Sequence, residues 1–401
     1  MRVALVCTEK LPVPPVRGGA IQAYIDGVAP LLAREHQVTV ISCQDRLLPP
    51  EEVRGGVHHL RIPGANRREA YYGSAFAALA RLRPEVAVVY NRPRMLPYLA
   101  RASPGTAMVL SLHNEMFEPD KISTVEARQC LETAAATVTV SRYLAEGIAR
   151  AFPEYRHRLV PIHSGVDLRR FLPQWDPVAR EERKRLRREL RLTGRKVILY
   201  VGRLTDKKGA HVLLEALGRL AAQEPDAVLL VVGSKWFGAD DPRDDYVRRL
   251  RRYAQKHLPG RVRFTGWVPF DRVHRYYWAA DLFCCSSQWQ EPLARVHYEA
   301  MATGLPIVTT RRGGNPEVVD GLGNGLVVDR YRDPVALAAA LGEILADKEK
   351  ARAMGRQGRR VAEERFSWDR VARDLGEVLT RAAAGAPGAL PPPDPAPPDA
   401  P

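Results

Sequence analysis

Residues 286–309 read SSQWQEPLARVHYEAMATGLPIVT, and this stretch decides the fold. An apolar run at 282–285 precedes it, and the chain becomes apolar again at 307–309, after Gly304. Proline suits the first position of a helix, so a helix between the two apolar runs is expected to begin at Pro292. The order is therefore strand, loop, helix, strand, which is the repeating unit of a parallel α/β sheet.

Two carboxylates, Glu291 and Glu299, flank the first two turns of this predicted helix. Eight helical residues advance about 12 Å, so the pair brackets an elongated ligand. Four backbone amides are expected to point at a phosphate from the helix N-terminus: those of Leu293, Ala294, Arg295 and Val296. A nucleotide sugar has a matching shape, because its hexose and ribose hydroxyls can each donate to one carboxylate. A surface amphipathic helix with two solvated glutamates explains the same residues equally well when they are taken alone.

A second charged loop follows the apolar run at 197–201. It contains Arg203 directly after Gly202, and five residues later it supplies Lys208. A pyrophosphate beside two glutamates needs cations, which arginine provides as a planar fork of donors and lysine as a mobile point charge. A helix-capping loop with exposed charges is the alternative, but the joint occurrence with the glutamate pair favours a donor site.

With these residues the chain resembles glycosyltransferase family 4 over nearly all of residues 1–384. The resemblance implies the GT-B fold, two facing Rossmann-like domains with a cleft between them, and a retaining hexosyltransferase that uses a nucleotide-diphosphate sugar. The family's donor signature corresponds to four residues here: Arg203, Lys208, Glu291 and Glu299. The wording of residues 12–22 and 291–300 resembles the spore-coat SA type of these enzymes, which implies a role in cell-surface, spore-coat or polysaccharide glycosylation.

One departure from the family pattern concerns the residues after the first Glu-Pro. Phe-Gly-Leu is usual there, whereas this chain has Leu293, Ala294 and Arg295. Loss of the glycine removes backbone freedom where a phosphate must approach closely. Arg295 is expected either to bind an anionic part of a substrate or to pair with Glu299 one turn on.

Apolar runs divide the chain into two series of predicted parallel strands buried on both faces. The first series lies at 3–7, 38–41, 86–90, 108–110 and 137–140, and the second at 197–201, 228–232, 262–265, 282–285, 307–309 and 326–328. The predicted organisation is an N-terminal acceptor domain at 1–166, a basic helical connector at 167–195, a nucleotide-sugar domain at 196–365, a helix at 366–384 that crosses back to the N-terminal domain, and a disordered Pro/Ala-rich tail at 385–401.

Two residues of the N-terminal domain are candidates for contact with the substrates. Gly19 follows Gly18 ahead of a predicted helix near Ile21, and the resemblance implies that this loop closes over the donor phosphate; an ordinary flexible turn is the alternative. His113 ends a predicted strand, where α/β domains place their sites. The resemblance implies that His113 contacts the transferred sugar as a catalytic residue together with Glu291, although a lone histidine is as often structural.

The formal net charge of +15 is concentrated in arginines of the connector and of the N-terminal domain. An anionic or membrane-associated acceptor would explain this positive charge, but a solvated charged surface explains it better. No motif for specific nucleic-acid binding accompanies the charge. Five cysteines, which lie mostly in strand contexts, indicate buried thiols in a reducing compartment. No transmembrane segment is predicted, so a cytoplasmic protein is expected, with peripheral membrane or spore-coat association left open.

No cofactor and no metal are expected beyond a nucleotide-sugar co-substrate, for which UDP is slightly favoured. The acidic residues at 240–245 are interrupted by Pro242 and Arg243 and are interpreted as the start of a helix. Two alternatives stay open: a nucleotide-sugar epimerase of the same fold, and a coat or scaffold protein that has lost catalysis. The sequence leaves the base, the sugar, the acceptor and the oligomeric state undetermined.

Overall fold

The computed structural model of the protein describes residues 1–236 and 244–385. They form two compact units. The first contains Met1–Gly165 and the C-terminal helix from Trp368, and the second contains Val166–Ser367. Each unit holds one sheet with helices around it, which confirms the predicted α/β class with two doubly wound domains. The predicted tail lies outside the described residues from 386 onward.

The first unit contains an eight-stranded sheet. Its strands are β1 Arg2–Val6, β2 Gln37–Cys43, β3 Glu51–Arg54, β4 Val57–Ile62, β5 Val86–Tyr90, β6 Ala107–Leu112, β7 Ala136–Thr139 and β8 Leu159–Pro161. They are ordered β3-β4-β2-β1-β5-β6-β7-β8, and every neighbouring pair is parallel except β3 with β4. Three of these strands, β3, β4 and β8, were not predicted from the sequence. β3 is mostly exposed, and β4 buries His59 and Arg61, so neither shows the apolar pattern of a core strand.

The second unit contains a six-stranded sheet in which all pairs are parallel. Its strands are β9 Lys196–Val201, β10 Ala227–Val232, β11 Val262–Gly266, β12 Leu282–Cys285, β13 Ile307–Thr310 and β14 Gly325–Val328. Their order is β11-β10-β9-β12-β13-β14. All six were predicted from their apolar runs, which are buried on both faces in β9, β10, β12 and β13 and only partly buried in the edge strands β11 and β14.

Thirteen α-helices lie within the described residues. They are α1 Ala20–Leu32, α2 Arg68–Leu82, α3 Met95–Ala102, α4 Thr124–Thr133, α5 Arg142–Ala151, α6 Pro177–Glu189, α7 Ala210–Leu220, α8 Asp245–His257, α9 His274–Ala279, α10 Val296–Ala302, α11 Pro334–Ala346, α12 Lys348–Arg365 and α13 Trp368–Ala383. Three short 3₁₀ segments accompany them, at Pro153–Arg158, Asp206–Lys208 and Asn315–Val318.

Helix α13 belongs to the first unit although it ends the described chain. It begins at Trp368, directly after Ser367, and packs against α1. Its buried residues, which include Val371, Leu375 and Leu379, share one apolar cluster with the helix α1 and with strands of the first sheet. The last helix therefore completes the core that the first residues of the chain begin.

The predicted connector is helical only over α6 and belongs to the second unit. Asp176 caps the helix, and two of its arginines, Arg183 and Arg187, form ion pairs with the carboxylate of Asp281. One face of this basic helix is thus bound to the rest of the second unit, while Arg180, Lys184, Arg185 and Arg188 are exposed. Of the acidic residues at 240–245, positions 240–243 lie outside the described residues, and Asp244 caps α8 as expected for a helix start.

Candidate active site

The order of the second sheet creates a reversal between two neighbouring strands, β9 and β12. From β9 the chain moves outward to β10 and β11, and then returns to add β12 on the other side of β9. The carboxyl ends of strands at such a reversal are the usual ligand site of a doubly wound sheet. Lys208 follows β9 and Glu291 follows β12, so the topology brings these two predicted residues together.

The ammonium of Lys208 forms an ion pair with the Oε2 atom of Glu291. Two further donors reach the same oxygen: Ser287 Oγ at 3.0 Å and Trp289 Nε1 at 2.8 Å. In the described part of the chain no donor reaches Glu291 Oε1, so this second oxygen is available to a ligand hydroxyl. Burial by itself raises the pKa of Glu291, but the charge of Lys208 and the three hydrogen bonds outweigh it, and the net pKa is lowered.

Lys208 is positioned by a close approach between two loops. Gly209 has a φ of 71°, and a Cβ at this residue would lie 1.9 Å from the carbonyl oxygen of Ser286. The Ser286 hydroxyl donates to the carbonyl of Gly209 at 3.0 Å, and the amide of Gln288 donates to the carbonyl of Lys207 at 2.8 Å. Only glycine fits this contact, so the loop after β9 is fixed against the loop after β12.

The segment after Glu291 differs from the prediction, because the helix begins at Val296 and not at Pro292. The loop after β13 explains the difference. Gly314 donates its amide to the carbonyl of Glu291 at 2.8 Å, and Asn315 Oδ1 accepts the amide of Ala294 at 3.1 Å. These bonds hold residues 291–295 in an irregular turn that a helix start would break.

The correction changes which amides can reach a phosphate. The amide of Ala294 is already bound to Asn315. Those of Leu293 and Val296 donate to no acceptor among residues 1–236 and 244–385, so a phosphate can use them. Leu293 and Ala294 also bury their side chains in the apolar core of this unit, which fixes the backbone they share.

Glu299 is buried in α10 and is held by Tyr277, a residue that sequence analysis missed. Tyr277 Oη donates to Glu299 Oε2 at 2.7 Å. Burial raises the pKa of Glu299, and the nearby charge of Arg295 together with the Tyr277 hydrogen bond opposes the rise only in part. The charge of Arg295 thus acts on the pKa of Glu299, whereas a direct pairing of the two side chains stays a prediction. Tyr277 lies in the sequence HRYYW, which carries no signal that would distinguish it from a core tyrosine.

Arg203 lies directly after β9 with an exposed side chain. Its carbonyl accepts the Tyr200 hydroxyl at 2.9 Å, which fixes the backbone. The guanidinium has no ion-pair or hydrogen-bond partner within the described ranges. It is thus an exposed cation at the same strand end as Lys208.

The first sheet has an equivalent reversal between β1 and β5. Glu9 follows β1 and Arg92 follows β5, and the two form a bidentate ion pair with contacts of 2.7 and 2.8 Å. The Glu9 side chain is 1% exposed. Burial alone would raise its pKa, but the hydrogen bonds and charge of Arg92 lower it on balance. Sequence analysis missed this pair, because the residues are 83 positions apart and belong to no motif.

Gly19 and His113 both lie in the first unit. Gly19 is the N-cap of α1 with a φ of 104°, and a Cβ there would lie 2.2 Å from Gln22 Oε1. The amide of His113 donates to Asn91 Oδ1 at 2.7 Å, and its ring contacts Tyr24 edge-on with a centroid distance of 4.8 Å. The half-buried imidazole therefore has a fixed orientation at the end of β6.

None of the described helices combines the length and apolarity needed to cross a membrane. Across residues 1–236 and 244–385, no group of three or more His, Cys, Asp or Glu side chains could hold a metal ion. All five cysteines are buried and free, as predicted.

A doubly wound protein with a cationic, carboxylate-bearing site at its sheet reversal belongs to the class of α/β proteins that hold a ligand at the carboxyl ends of their strands, and comparison with known proteins gives the family. Residues 18–170 match the family model described as Glycosyltransferase Family 4, and residues 182–361 match Glycosyl transferases group 1. The chain belongs to this glycosyltransferase family and is a transferase of the GT-B type.

Three similar proteins illustrate the relationship. The chain is 43% identical over 381 residues to spore coat protein SA of Bacillus subtilis (strain 168), covering 95% of this chain and 100% of that protein. It is 30% identical over 398 residues to the GDP-mannose-dependent alpha-(1-6)-phosphatidylinositol monomannoside mannosyltransferase of Mycolicibacterium smegmatis, covering 92% and 96%. The crystal structure of Anabaena Alr3699/HepE in complex with UDP-glucose has the same fold, with a TM-score of 0.74, 22% identity and coverage of 95% and 99%.

Proposed function

We propose that the protein is a retaining, metal-independent hexosyltransferase that uses a nucleotide-diphosphate sugar. The observation that carries the proposal is the environment of Glu291. Lys208, Ser287 and Trp289 all converge on one of its oxygens and leave the other for a sugar hydroxyl. Such an arrangement keeps the carboxylate ionised and oriented, as the recognition of a donor sugar requires.

The donor diphosphate is assigned to the cations at the end of β9. Lys208 and the exposed Arg203 offset its charge, and the amides of Leu293 and Val296 add neutral donors. Glu299, fixed by Tyr277, accepts the ribose hydroxyls. Hydroxyl donation to Glu299 stabilises a carboxylate whose burial otherwise disfavours its charge.

A UDP-sugar is the favoured donor. A solved structure with this fold contains UDP-glucose, whereas the mycobacterial relative is named for GDP-mannose. Both names describe a nucleoside diphosphate joined to a hexose, but the bases differ. The names therefore support a nucleotide-diphosphate hexose as the donor more strongly than they support uracil as its base.

Retention follows if the acceptor oxygen attacks the anomeric carbon from the face that the diphosphate leaves. In that step the new C–O bond forms as the C–O bond to phosphate breaks, and a diphosphate oxygen takes the acceptor proton. The protein then has to stabilise negative charge on the leaving group, a task suited to Lys208, Arg203 and the two amides. His113 contacts the sugar in this scheme, and Gly19 allows close approach of the loop before α1.

The setting that we propose is cytoplasmic glycosylation connected with a spore coat or another surface polysaccharide. The five free cysteines agree with a reducing compartment. The relationship to spore coat protein SA supports the coat connection.

A two-part experiment tests the function. Thermal unfolding is measured with UDP, GDP, ADP and their hexose conjugates, where a donor at a hundred times its Kd stabilises by about 2.7 kcal/mol. The preferred donor is then incubated with a panel of glycosides in EDTA, and NMR of the first-formed product gives its anomeric configuration. A product of inverted configuration, or activity that only Mg²⁺ or Mn²⁺ restores, contradicts the mechanism; release of an epimerised donor without an acceptor contradicts the transferase.

A further inference from the structure

A cavity of about 290 Å³ lies in the first unit between the loop after β6 and one face of α5. Its lining begins at Asn114, the residue directly after His113. None of the residues assigned to the donor lines it. The carboxyl end of a strand is where a doubly wound domain holds its ligand, so the cavity is well placed beside the proposed sugar-contacting histidine.

One part of the cavity lining is aromatic and apolar. The rings of Phe117 and Phe152 meet at a centroid distance of 6.1 Å and an angle of 66°. Met116 and Ile148 extend this apolar lining. A wall of this kind provides rigid contact area for the C–H face of a sugar ring.

Another part of the lining presents an oriented carboxylate. Tyr143 Oη donates to Glu115 Oε1 at 2.5 Å, and Lys121 Nζ donates to the Glu115 carbonyl at 2.6 Å. Burial, followed by the contact with Glu115, raises the pKa of Tyr143, so the phenol keeps its proton and acts as the donor. Glu115 Oε2 accepts no hydrogen bond from the described residues, which leaves it for a ligand hydroxyl.

The charges around the cavity do not favour an anionic ligand. Glu115 and Glu118 line it together with Arg150, and the ammonium of Lys121 contacts the Glu115 carbonyl. The two negative and two positive charges balance, so the cavity has no excess cation to bind a carboxylate or phosphate on the ligand. A neutral group with an apolar face and a hydroxyl rim fits both walls.

We propose that this cavity is an acceptor subsite for one neutral hexopyranose unit. The sugar places its C–H face on Phe117 and Phe152 and its hydroxyls on Glu115. Small-ligand sites span about 300–1,000 Å³, so this volume suits one ring and not a longer chain. The inference rests on the proposed function, because it names the acceptor class of that transferase.

Gly147 on α5 gives a direct way to fill the cavity. It lines the space, and a Cβ at this position meets no heavy atom within 4 Å. Gly147→Phe therefore places a ring in the cavity without displacing the core. Gly73 on α2 is the matched control, since a Cβ there also meets no atom within 4 Å and the residue does not line the cavity.

The test measures binding of p-nitrophenyl glucoside, galactoside, mannoside and glucuronide by saturation-transfer NMR, with UDP affinity measured in parallel. We expect the wild type and Gly73→Phe to bind at least one neutral glycoside more tightly than the glucuronide. Gly147→Phe should bind it at least tenfold more weakly with unchanged UDP affinity. Glu115→Gln, which keeps the shape of the site, should weaken it at least fivefold.

Equal glycoside binding by the wild type and Gly147→Phe overturns the subsite, provided that circular dichroism shows both to be folded. Preference for the glucuronide, or no binding of any neutral glycoside by the wild type, overturns it as well. If Gly147→Phe does not fold, equal glycoside binding by Glu115→Gln and the wild type also overturns the subsite. Failure of the proposed function has a different signature, because the wild type then binds neither UDP nor a UDP-hexose.

Discussion

The indole Nε1 of Trp289 donates a hydrogen bond to Glu291 Oε2 at 2.8 Å, although the two residues are only two positions apart. The Trp289 ring also lies 5.7 Å from the ammonium of Lys208, measured to its centroid. One side chain thus contacts both members of the central ion pair.

Trp289→Phe is expected to keep an aromatic ring near Lys208 and to remove one donor from Glu291. Loss of a hydrogen bond to a buried charge costs about 1.5–3 kcal/mol, so transfer should slow roughly 10- to 100-fold. UDP affinity should stay near the wild-type value. The pKa of Glu291 should rise, which moves the acid limb of the kcat/KM profile to higher pH. A profile with an unmoved acid limb would show that Trp289 does not tune this carboxylate.

Lys208→Ala and Arg203→Ala are expected to weaken UDP binding far more than uridine binding, because the lost partner of each is a charged phosphate. Isothermal titration with both ligands measures the difference. Lys256→Ala, an exposed lysine of α8, serves as the charge-matched control. Equal losses for UDP and uridine would reject the phosphate assignment.

Glu299→Gln and Tyr277→Phe should weaken uridine and UDP by similar factors, since both changes act on the proposed ribose contact. The expected loss is about tenfold for Glu299→Gln and smaller for Tyr277→Phe, which retains the carboxylate but not its donor. If the substitutions weaken the binding of UDP but not of uridine, or weaken neither, Glu299 does not contact the ribose.

Stability is expected to fall as the pH drops from about 6.5 to about 4, with His59 as one cause. Burial, reinforced by the charge of Arg61, lowers the pKa of His59 to about 4. Between the ordinary and the lowered pKa the unfolded chain binds a proton that the native state does not, so unfolding becomes easier as pH falls, by up to about 3 kcal/mol. His211 and His274, whose pKa values are also lowered, act in the same direction.

His59→Gln removes one titrating group and should flatten the fall, measured as urea unfolding free energy between pH 7.5 and 4.5. The comparison is the slope of each protein and not its absolute stability, because the substitution also changes packing. An identical slope for the variant and the wild type would mean that His59 titrates at its ordinary pKa.

Gly27→Ala should destabilise the first unit. A Cβ at Gly27 would lie 2.4 Å from the ring of Trp368, and overpacking of this kind costs about 1–3 kcal/mol. Gly73→Ala is the helical control with open space, and it should raise stability by about 0.5–1 kcal/mol. Thermal unfolding of the two variants is expected to shift in opposite directions.

The prediction of the strands succeeded where burial on both faces leaves a continuous apolar run, as in β9 and β10. It failed for β4, whose buried His59 and Arg61 break the pattern that marks a core strand. The local sequence Glu-Pro also predicted a helix start that tertiary contacts override, because Asn315 binds the amide of Ala294 from another loop.

In the candidate site, the residues that belong to a motif could be predicted from the sequence, but the residues that orient them could not. Lys208 and Glu291 were identified and are in contact, whereas Tyr277 and Asn315 had no local signal. The roles assigned to Gly19 and His113 stay predictions. Glu9 and Arg92 meet only because β1 and β5 are neighbours in the sheet. A single sequence does not show which strands are neighbours, so it could not predict this ion pair.

The place of α13 has a consequence for biosynthesis. Its buried face completes an apolar cluster begun by β1 and α1, yet the whole of Val166–Ser367 is translated between them. When only the first 165 residues have left the ribosome, the apolar surface of α1 is therefore not yet covered by α13. The first unit therefore reaches its final core only after the whole of the second has been synthesised.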